Sequence, residues 1–232
     1  MFKRKILSKL EAWKQDERHK PLILRGARQV GKTTVVNEFG SQFDNYLYFN
    51  LEISESVRLF EMDIPLNDLV NMLFASLGKS QKEGSTLIFI DEIQNSPKTI
   101  ALLRYFYEQR PDLYVIAAGS LLENLVDVNV SFPVGRVMYL ALRPCSFYEF
   151  LGAIGKNNLL TILSQKAEYS IAFHEQLMHQ FNQYTIIGGM PEAVQHYAET
   201  QDIIAIEDVY ETLVQAYKDD SEKYTRSNKL TD

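Results

Sequence analysis

The stretch of sequence that decides the fold is Gly26-Ala27-Arg28-Gln29-Val30-Gly31-Lys32-Thr33. It matches the pattern G-x-x-x-x-G-K-[ST], which predicts a loop that binds phosphate groups through its backbone N–H donors. A short apolar segment, 22–24, precedes the loop, and helical periodicity begins at Thr33. Glycines let the backbone turn tightly and approach phosphate oxygens, and the amino end of the following helix favours an anion. The sequence therefore predicts a nucleotide site between a strand and a helix.

The residue types of this loop predict individual roles. We expect the Lys32 ammonium to reach the β- and γ-phosphates, and the Thr33 hydroxyl to ligate Mg²⁺, a hard ion that prefers oxygen. Arg28 is a candidate for contact with the nucleotide or a partner, and a position with neither contact is the favoured alternative. The predicted nucleotide-binding residues are Gly26, Ala27, Arg28, Gln29, Val30, Gly31, Lys32, Thr33 and Thr34. The chain has no guanine-selective N/T-K-x-D sequence, so the expected nucleotide is ATP.

A second motif, which is acidic, lies about 60 residues after the phosphate loop. The apolar segment 86–90 predicts a buried strand, and Asp91 and Glu92 follow it directly. At the carboxyl end of a parallel strand, Asp91 is expected to support Mg²⁺ and Glu92 to polarise an attacking water. An ordinary charged turn after a buried strand is the alternative. A carboxylate beside the metal-binding Asp suits attack by water, so the pair favours hydrolysis over transfer of phosphate to another acceptor.

Three further positions are candidates for supporting roles. Ser120 follows the predicted strand 113–118 and either orients the water or caps a helix. Asn50 either restrains Glu92 or serves as a turn residue, and the turn is favoured. Arg136 either stabilises charge on the transferring phosphoryl group, in its own or a neighbouring subunit, or forms a surface ion pair. The predicted catalytic residues are Glu92, Lys32, Arg136 and Ser120.

The rest of the chain alternates apolar strands with helices up to about residue 143. Strands are predicted at 22–24, 46–49, 86–90, 113–118 and 137–142, and helices at 3–18, from 33 onward, at 65–77 and at 97–109. Fully apolar strands that alternate with helices indicate a parallel sheet covered on both faces. Helical segments follow at 146–153, 157–185 and 190–217, with a break at Gly188-Gly189. We therefore expect an α/β core at 1–145, a helical region at 146–217 and a polar tail at 218–232.

Composition and charge exclude several classes of protein. The 232 residues are 46% hydrophobic and 23% charged, which excludes a disordered chain, a collagen and a pure coiled coil. One cysteine, Cys145, excludes an intrachain disulfide and favours a reducing, cytoplasmic setting. The net charge of −6 does not support a stand-alone nucleic-acid binder. No apolar run reaches the length of about 20 residues that a membrane helix needs, so no membrane association is expected.

These motifs together resemble the AAA-type, additional-strand P-loop ATPases. Further segments, among them Gly135-Arg136 and Gly188-Gly189-Met190-Pro191-Glu192, make the chain similar to a prokaryotic branch whose members carry a C-terminal domain of unknown function. The resemblance implies a three-layer α/β P-loop NTPase fold with a parallel sheet in the order 5-1-4-3-2. It also implies Mg-ATP at the carboxyl ends of the strands and a helical lid from about Ser146. The segment 218–232 would then be the truncated start of that C-terminal domain.

The leading functional hypothesis is Mg²⁺-dependent ATP binding and hydrolysis coupled to conformational change. The alternative is a nucleotide-gated switch that binds protein or DNA with little turnover of its own. A small-molecule kinase is disfavoured, because 146–217 has no cluster of arginines. Expected partners are ATP and either a second copy of the chain or an unidentified protein. Nucleic acid is a candidate only for a longer form, and the charge does not support it here.

Overall fold

The computed structural model describes residues 2–119, 133–165 and 170–228. It divides the chain into two compact units, Lys5–Arg143 and Pro144–Asp232 together with Met1–Arg4. The division falls two residues before the predicted boundary at 145.

The first unit holds a five-stranded sheet in which all strands run parallel. The strands are β1 (Leu22–Arg25), β2 (Asn45–Asn50), β3 (Thr86–Asp91), β4 (Leu113–Gly119) and β5 (Met138–Ala141). Their order is β2-β3-β4-β1-β5, which is the predicted order 5-1-4-3-2 counted from the other edge. The predicted fold class is thereby confirmed.

The register of the sheet brings the carboxyl ends of the strands together at one edge. Arg25, the last residue of β1, pairs with Gly119 of β4 on one side and with Ala141 of β5 on the other. Asp91, the last residue of β3, pairs with Asn50, the last residue of β2. The residues that directly follow β1 and β3 therefore emerge at the same edge of the sheet.

Helices cover both faces of this sheet. They are α1 (Ile6–Gln15), α2 (Lys32–Gly40), α3 (Ser54–Phe60), α4 (Leu66–Ser76) and α5 (Pro97–Gln109). Successive side chains of a strand point to opposite faces. Leu87 and Phe89 of β3 accordingly pack in the cluster that contains α1 and α2, whereas Ile88 and Ile90 pack in the cluster that contains α3, α4 and α5. The result is a three-layer sandwich with a buried sheet.

Some element boundaries differ from the predicted ones. The predicted helix 3–18 is shorter, Ile6–Gln15, because buried apolar residues occur only from Ile6 to Trp13. Helix α3 was not predicted, since its seven residues bury only Phe60 and give no helical apolar stripe. Pro97 begins α5 as predicted, and the Ser96 hydroxyl caps that helix by accepting from the Thr99 N–H.

The second unit is helical. Its helices are α6 (Phe147–Ala153), α7 (Asn157–Gln165), α8 (Ile171–Ile187), α9 (Pro191–Thr200) and α10 (Glu207–Asn228). The segment predicted as one helix at 157–185 is thus two helices. The break predicted at Gly188-Gly189 is present, because Gly188 has a φ of 72° and ends α8.

The segment predicted as one helix at 190–217 is also divided. Helix α9 ends at Thr200 because Gln201 takes a left-handed conformation, with a φ of 55°. Helix α10 begins after a 3₁₀ turn at Ile204–Ile206 and continues to Asn228, so the polar segment from residue 218 starts inside a helix. In the described ranges, no helix is long and apolar enough to cross a bilayer.

The second unit has its own core around Phe150, whose ring contacts Tyr184 and Tyr197. Helix α6 begins with a capping box, in which the Ser146 hydroxyl and the Glu149 carboxylate each bond the other's backbone N–H. The Glu149 carboxylate also accepts from Arg4 Nε at 2.9 Å, with side chains 10% and 5% exposed. This buried ion pair attaches the amino terminus to α6.

Candidate nucleotide-binding site

The phosphate loop lies at the carboxyl edge of the sheet, between β1 and α2. Its first glycine, Gly26, lies so close to the end of β5 that a Cβ there would be 2.3 Å from the Leu142 carbonyl oxygen. Its second glycine, Gly31, has a φ of 87° and immediately precedes α2. Because glycine has no side chain to cap the helix, the first-turn N–H groups of α2 are left for an anion. Both positions therefore require glycine for the backbone of the loop.

Lys32 points back into the concave side of this loop. Its ammonium donates hydrogen bonds to the carbonyl oxygens of Gly26 and Ala27, both at 2.9 Å, and its side chain is buried. Burial lowers the pKa of Lys32, and the negative charges of Glu92 and Asp91 oppose that shift. An ammonium has three N–H donors, so two carbonyl bonds do not exhaust it. The cation therefore remains able to bind a phosphate oxygen.

The Thr33 hydroxyl and the Asp91 carboxylate meet across the loop. Thr33 Oγ1 donates to Asp91 Oδ2 at 2.6 Å, which joins the first turn of α2 to the end of β3. Asp91 is 3% exposed, and this burial raises the pKa of its carboxyl, although the Thr33 bond opposes the shift. The pair offers one hydroxyl and one carboxylate, the hard oxygen ligands that Mg²⁺ prefers. The donor set therefore fits the predicted metal.

Glu92 continues from Asp91 in a left-handed backbone conformation, with a φ of 52° and a ψ of 45°. Its backbone N–H donates to Asp91 Oδ1 at 3.1 Å, and its Oε2 accepts from Gln94 Nε2 at 2.5 Å. Burial raises the pKa of Glu92, the Gln94 bond opposes this shift, and the neighbouring Asp91 charge adds to it. The turn thus brings both carboxylates to the carboxyl edge, where strict strand alternation would have placed them on opposite faces.

The other predicted loop residues are distributed around this backbone. Val30 is fully buried in the cluster under α2, Gln29 is exposed with a φ of 62°, and Thr34 is exposed on α2. Arg28 is partly buried, and its positive charge contributes to lowering the Lys32 pKa.

Of the three residues predicted to support the site, the structure describes Asn50 and Arg136. Ser120 lies outside the described residues. Asn50 accepts the Glu52 N–H at 2.8 Å, the bond of a turn residue, and the side-chain amide that reaches Glu92 is that of Gln94. Arg136 precedes β5 and therefore lies at the opposite, amino-terminal edge of the sheet, where its Nε is 3.3 Å from Glu108 Oε1. The structure thus does not bring Arg136 to its own phosphate loop.

Two residues near the carboxylates carried no prediction. Gln94 belongs to a 3₁₀ turn, Ile93–Asn95, that directly follows the left-handed residue Glu92, and its contact with Glu92 spans the start of this turn. Tyr48 lies on β2, and its pKa is raised by burial and then by the negative charges of Asp91 and Glu92. The sequence signals for Gln94 are its place in the segment 89–94 that carries the family resemblance and its position two residues after Glu92, and neither one indicates a contact.

The sequence that forms this site matches a known protein family. A family model described as an AAA domain matches residues 18–151, more than half of the chain. The chain belongs to the AAA domain family. The matched residues of this AAA domain include the phosphate loop, Asp91, Glu92 and Arg136, and family membership implies a nucleotide site. No curated protein matches the chain.

The chain is also similar in fold to several solved structures, with low sequence identity. The AAA domain is similar to a chain of "Structure of Drosophila ORC bound to DNA", with 15% identity, a TM-score of 0.49, and coverage of 82% of this chain and 58% of that one. It is 12% identical to a chain of "Structure of C. elegans PCH-2", with a TM-score of 0.46, and the match covers 86% of this chain and 63% of that one. It is 13% identical to the Aeropyrum pernix ORC1 protein in complex with DNA, with a TM-score of 0.43, and the match covers 85% of this chain and 63% of that one. The chain thus spans about six-tenths of the length of these proteins.

Proposed function

We propose that this AAA domain binds ATP with Mg²⁺ and hydrolyses it. The observation that carries the proposal is the 2.6 Å contact between Thr33 and Asp91, with Glu92 as the next residue. It joins the first turn of α2, which follows the phosphate loop, to Asp91 at the end of β3, and Glu92 follows Asp91 directly. This supports water, activated beside the metal, as the nucleophile.

The proposed roles follow from the contacts of each side chain. Loop N–H groups and the Lys32 ammonium bind the phosphate oxygens, while Thr33 and Asp91 would hold the metal. Mg²⁺, when bound, supplies positive charge that offsets the charge developing on the phosphate oxygens. Glu92 accepts a proton from the attacking water. Because burial already raises the pKa of Glu92, its carboxylate is a stronger base than an exposed glutamate.

Arg136 favours the second candidate function, a nucleotide-gated switch with little turnover of its own. Its guanidinium lies at the sheet edge opposite the phosphate loop and is paired with Glu108. From that edge it would act only on the nucleotide of a neighbouring copy. An isolated chain would then bind ATP and hydrolyse it slowly, and assembly would accelerate turnover.

The test combines phosphate release from Mg-ATP with nucleotide affinity, for the wild type, Lys32→Ala and Glu92→Gln. Hydrolysis predicts turnover by the wild type, weak binding by Lys32→Ala, and binding with turnover reduced about 10²-fold or more for Glu92→Gln. Tight binding by a wild type that releases no more phosphate than Glu92→Gln, at every protein concentration, would contradict hydrolysis and leave the switch.

Self-association is tested by mixing two inactive variants. If Arg136 acts on a neighbouring copy, Arg136→Ala and Lys32→Ala should each be inactive alone, and their mixture should regain activity. Each mixed pair contains one intact site completed by an intact arginine. Glu108→Ala is the matched control, because it removes the arginine's partner at the same edge and keeps the guanidinium. No recovery in the mixture, at concentrations where the chains associate, would contradict this role.

We further propose that hydrolysis is coupled to conformational change in the helical unit, and that the protein acts in the cytoplasm. The family resemblance and the single buried cysteine support these proposals. Hydrogen exchange of 144–217 with ATP, ADP and no nucleotide tests the first. Identical protection in all three states would contradict it.

A further inference from the structure

We infer that Gln94 is a positioning residue for Glu92, which holds one carboxylate oxygen so that the other faces the attacking water. The inference rests on the hydrolysis proposed above. Gln94 Nε2 donates to Glu92 Oε2 at 2.5 Å. A carboxylate has two oxygens with about four lone-pair positions, so one bond at Oε2 leaves Oε1 able to accept a proton from water. A base oriented by a third group is the arrangement that activated water and nucleophile sites share.

The position of Glu92 explains why such an orienting bond is needed. The positive charge of Lys32 attracts the Glu92 carboxylate, and the negative charge of Asp91 repels it. Charge interactions of this kind do not fix the orientation of a carboxylate, whereas a directional hydrogen bond does. The Gln94 amide supplies such a bond at Glu92 Oε2. A neutral donor also serves better than a cation, because a permanent positive charge would weaken the carboxylate as a base.

Two features of this turn disfavour the folded state, which indicates that the contact between Gln94 and Glu92 is not there to stabilise the fold. Gln94 Oε1 is buried and, within the described part of the chain, has no hydrogen-bond partner. Glu92, a non-glycine residue, is left-handed. An unsatisfied buried acceptor and a left-handed backbone both disfavour the folded state, and such features concentrate at functional sites. Ile93, fully buried, already anchors the turn by packing, so packing alone does not require an amide at 94.

The decisive variant is Gln94→Leu, which keeps a similar volume and removes both the N–H donor and the unpaired oxygen. We expect kcat for ATP hydrolysis to fall about tenfold to a hundredfold, with KM and ATP affinity within about twofold of the wild type. The unfolding midpoint should not fall. Asn95→Ala is the matched control, because Asn95 belongs to the same 3₁₀ turn and is exposed. It should leave all of these quantities unchanged.

A double-mutant comparison separates positioning from an independent effect. If Gln94 acts through Glu92, adding Gln94→Leu to Glu92→Gln should cause no further loss of kcat. Full additivity of the two losses would overturn the inference, as would a wild-type kcat in Gln94→Leu. A fall in kcat that is matched by a lowered unfolding midpoint would assign Gln94 a structural role and equally overturn it.

A readout without nucleotide keeps this inference separable from the hydrolysis proposal. The side-chain amide protons of Gln94, assigned in an ¹⁵N–¹H spectrum from their loss in Gln94→Leu, should shift on Glu92→Ala and stay in place on Asn95→Ala. Unchanged signals on Glu92→Ala would overturn the contact. If the wild type does not hydrolyse ATP, the hydrolysis proposal fails by itself, and these spectra still decide whether Gln94 holds Glu92.

Discussion

Replacing Gly26 with alanine tests whether the phosphate loop depends on its close approach to β5. The new Cβ would lie 2.3 Å from the Leu142 carbonyl oxygen and 3.1 Å from Val30 Cγ2. The Leu142 oxygen belongs to the backbone and cannot move by a change of rotamer. The Leu142 N–H is also bonded to the Arg25 carbonyl at 2.7 Å, which fixes this residue to the end of β1. The loop and the end of β5 must therefore separate.

The size of the effect follows from that separation. The two atoms must move apart by about 1 Å to reach ordinary contact. Overpacking of this kind costs about 1–3 kcal/mol. For a chain of this length each kcal/mol lowers the unfolding midpoint by about 2–4 °C. Because the distorted residues also bind the phosphates, and 1.4 kcal/mol corresponds to a tenfold change, we expect ATP affinity to fall by about fivefold to a hundredfold.

The assay compares thermal unfolding and ATP affinity of Gly26→Ala with those of Gly152→Ala. Gly152 lies in α6, and a Cβ there meets nothing within 4 Å. The same substitution should therefore leave affinity unchanged and raise stability by up to about 1 kcal/mol, because alanine favours a helix over glycine. A Gly26→Ala variant with the wild-type midpoint and affinity would refute the argument that the loop needs this contact.

Three further predictions concern buried ionisable groups. Burial raises the pKa of Asp91, so its carboxylate destabilises the folded state at neutral pH. Asp91→Asn should therefore raise the free energy of unfolding at neutral pH. This gain should shrink as the pH falls through the raised pKa toward about 4. Urea unfolding at neutral and acidic pH measures this, and an equal gain at both would contradict it. Burial raises the pKa of Cys145 to about 11, so a thiol reagent should label the native chain at least about a hundredfold more slowly than the unfolded chain. Equal labelling rates would contradict that burial. Glu149→Ala removes a carboxylate from the buried Arg4 guanidinium and should cost about 3–5 kcal/mol in urea unfolding, against about 0.5 kcal/mol or less for the exposed Glu192→Ala. Similar costs for both variants would contradict this assignment.

The sheet was predictable because its strands are apolar along their whole length. Every residue of β3 is buried, and such a run has few alternatives once a helix precedes and follows it. Helix α3 was not predictable, because Phe60 is its only buried residue. The end of α9 depends on the backbone conformation of Gln201, a residue that is compatible with a continuing helix. Local pattern therefore identifies elements that bury a face and misses those that tertiary contacts end or stabilise.

The same distinction applies to the candidate site. The proximity of Lys32 and Thr33 to one another follows from the loop itself, since its glycines and the following helix define a local backbone. Their proximity to Asp91 requires only that β1 and β3 end at one edge of a parallel sheet. Arg136 was identified as a candidate by residue type, but its distance from the loop depends on where β5 starts. The contact of Gln94 with Glu92 depends on a left-handed turn that no strand pattern contains.

The electrostatics of the site explain why its folding and its proposed ligand are linked. Burial lowers the pKa of Lys32 and raises that of Asp91, so both shifts oppose the charged forms. The opposite charges compensate each other only in part, because Lys32 bonds to carbonyl oxygens and Asp91 to a hydroxyl. Nucleotide phosphates and a divalent cation would bring each group a partner of opposite charge. Anything that binds the folded state stabilises it by mass action, so a site that is costly to fold is stabilised by the ligand it is shaped to bind.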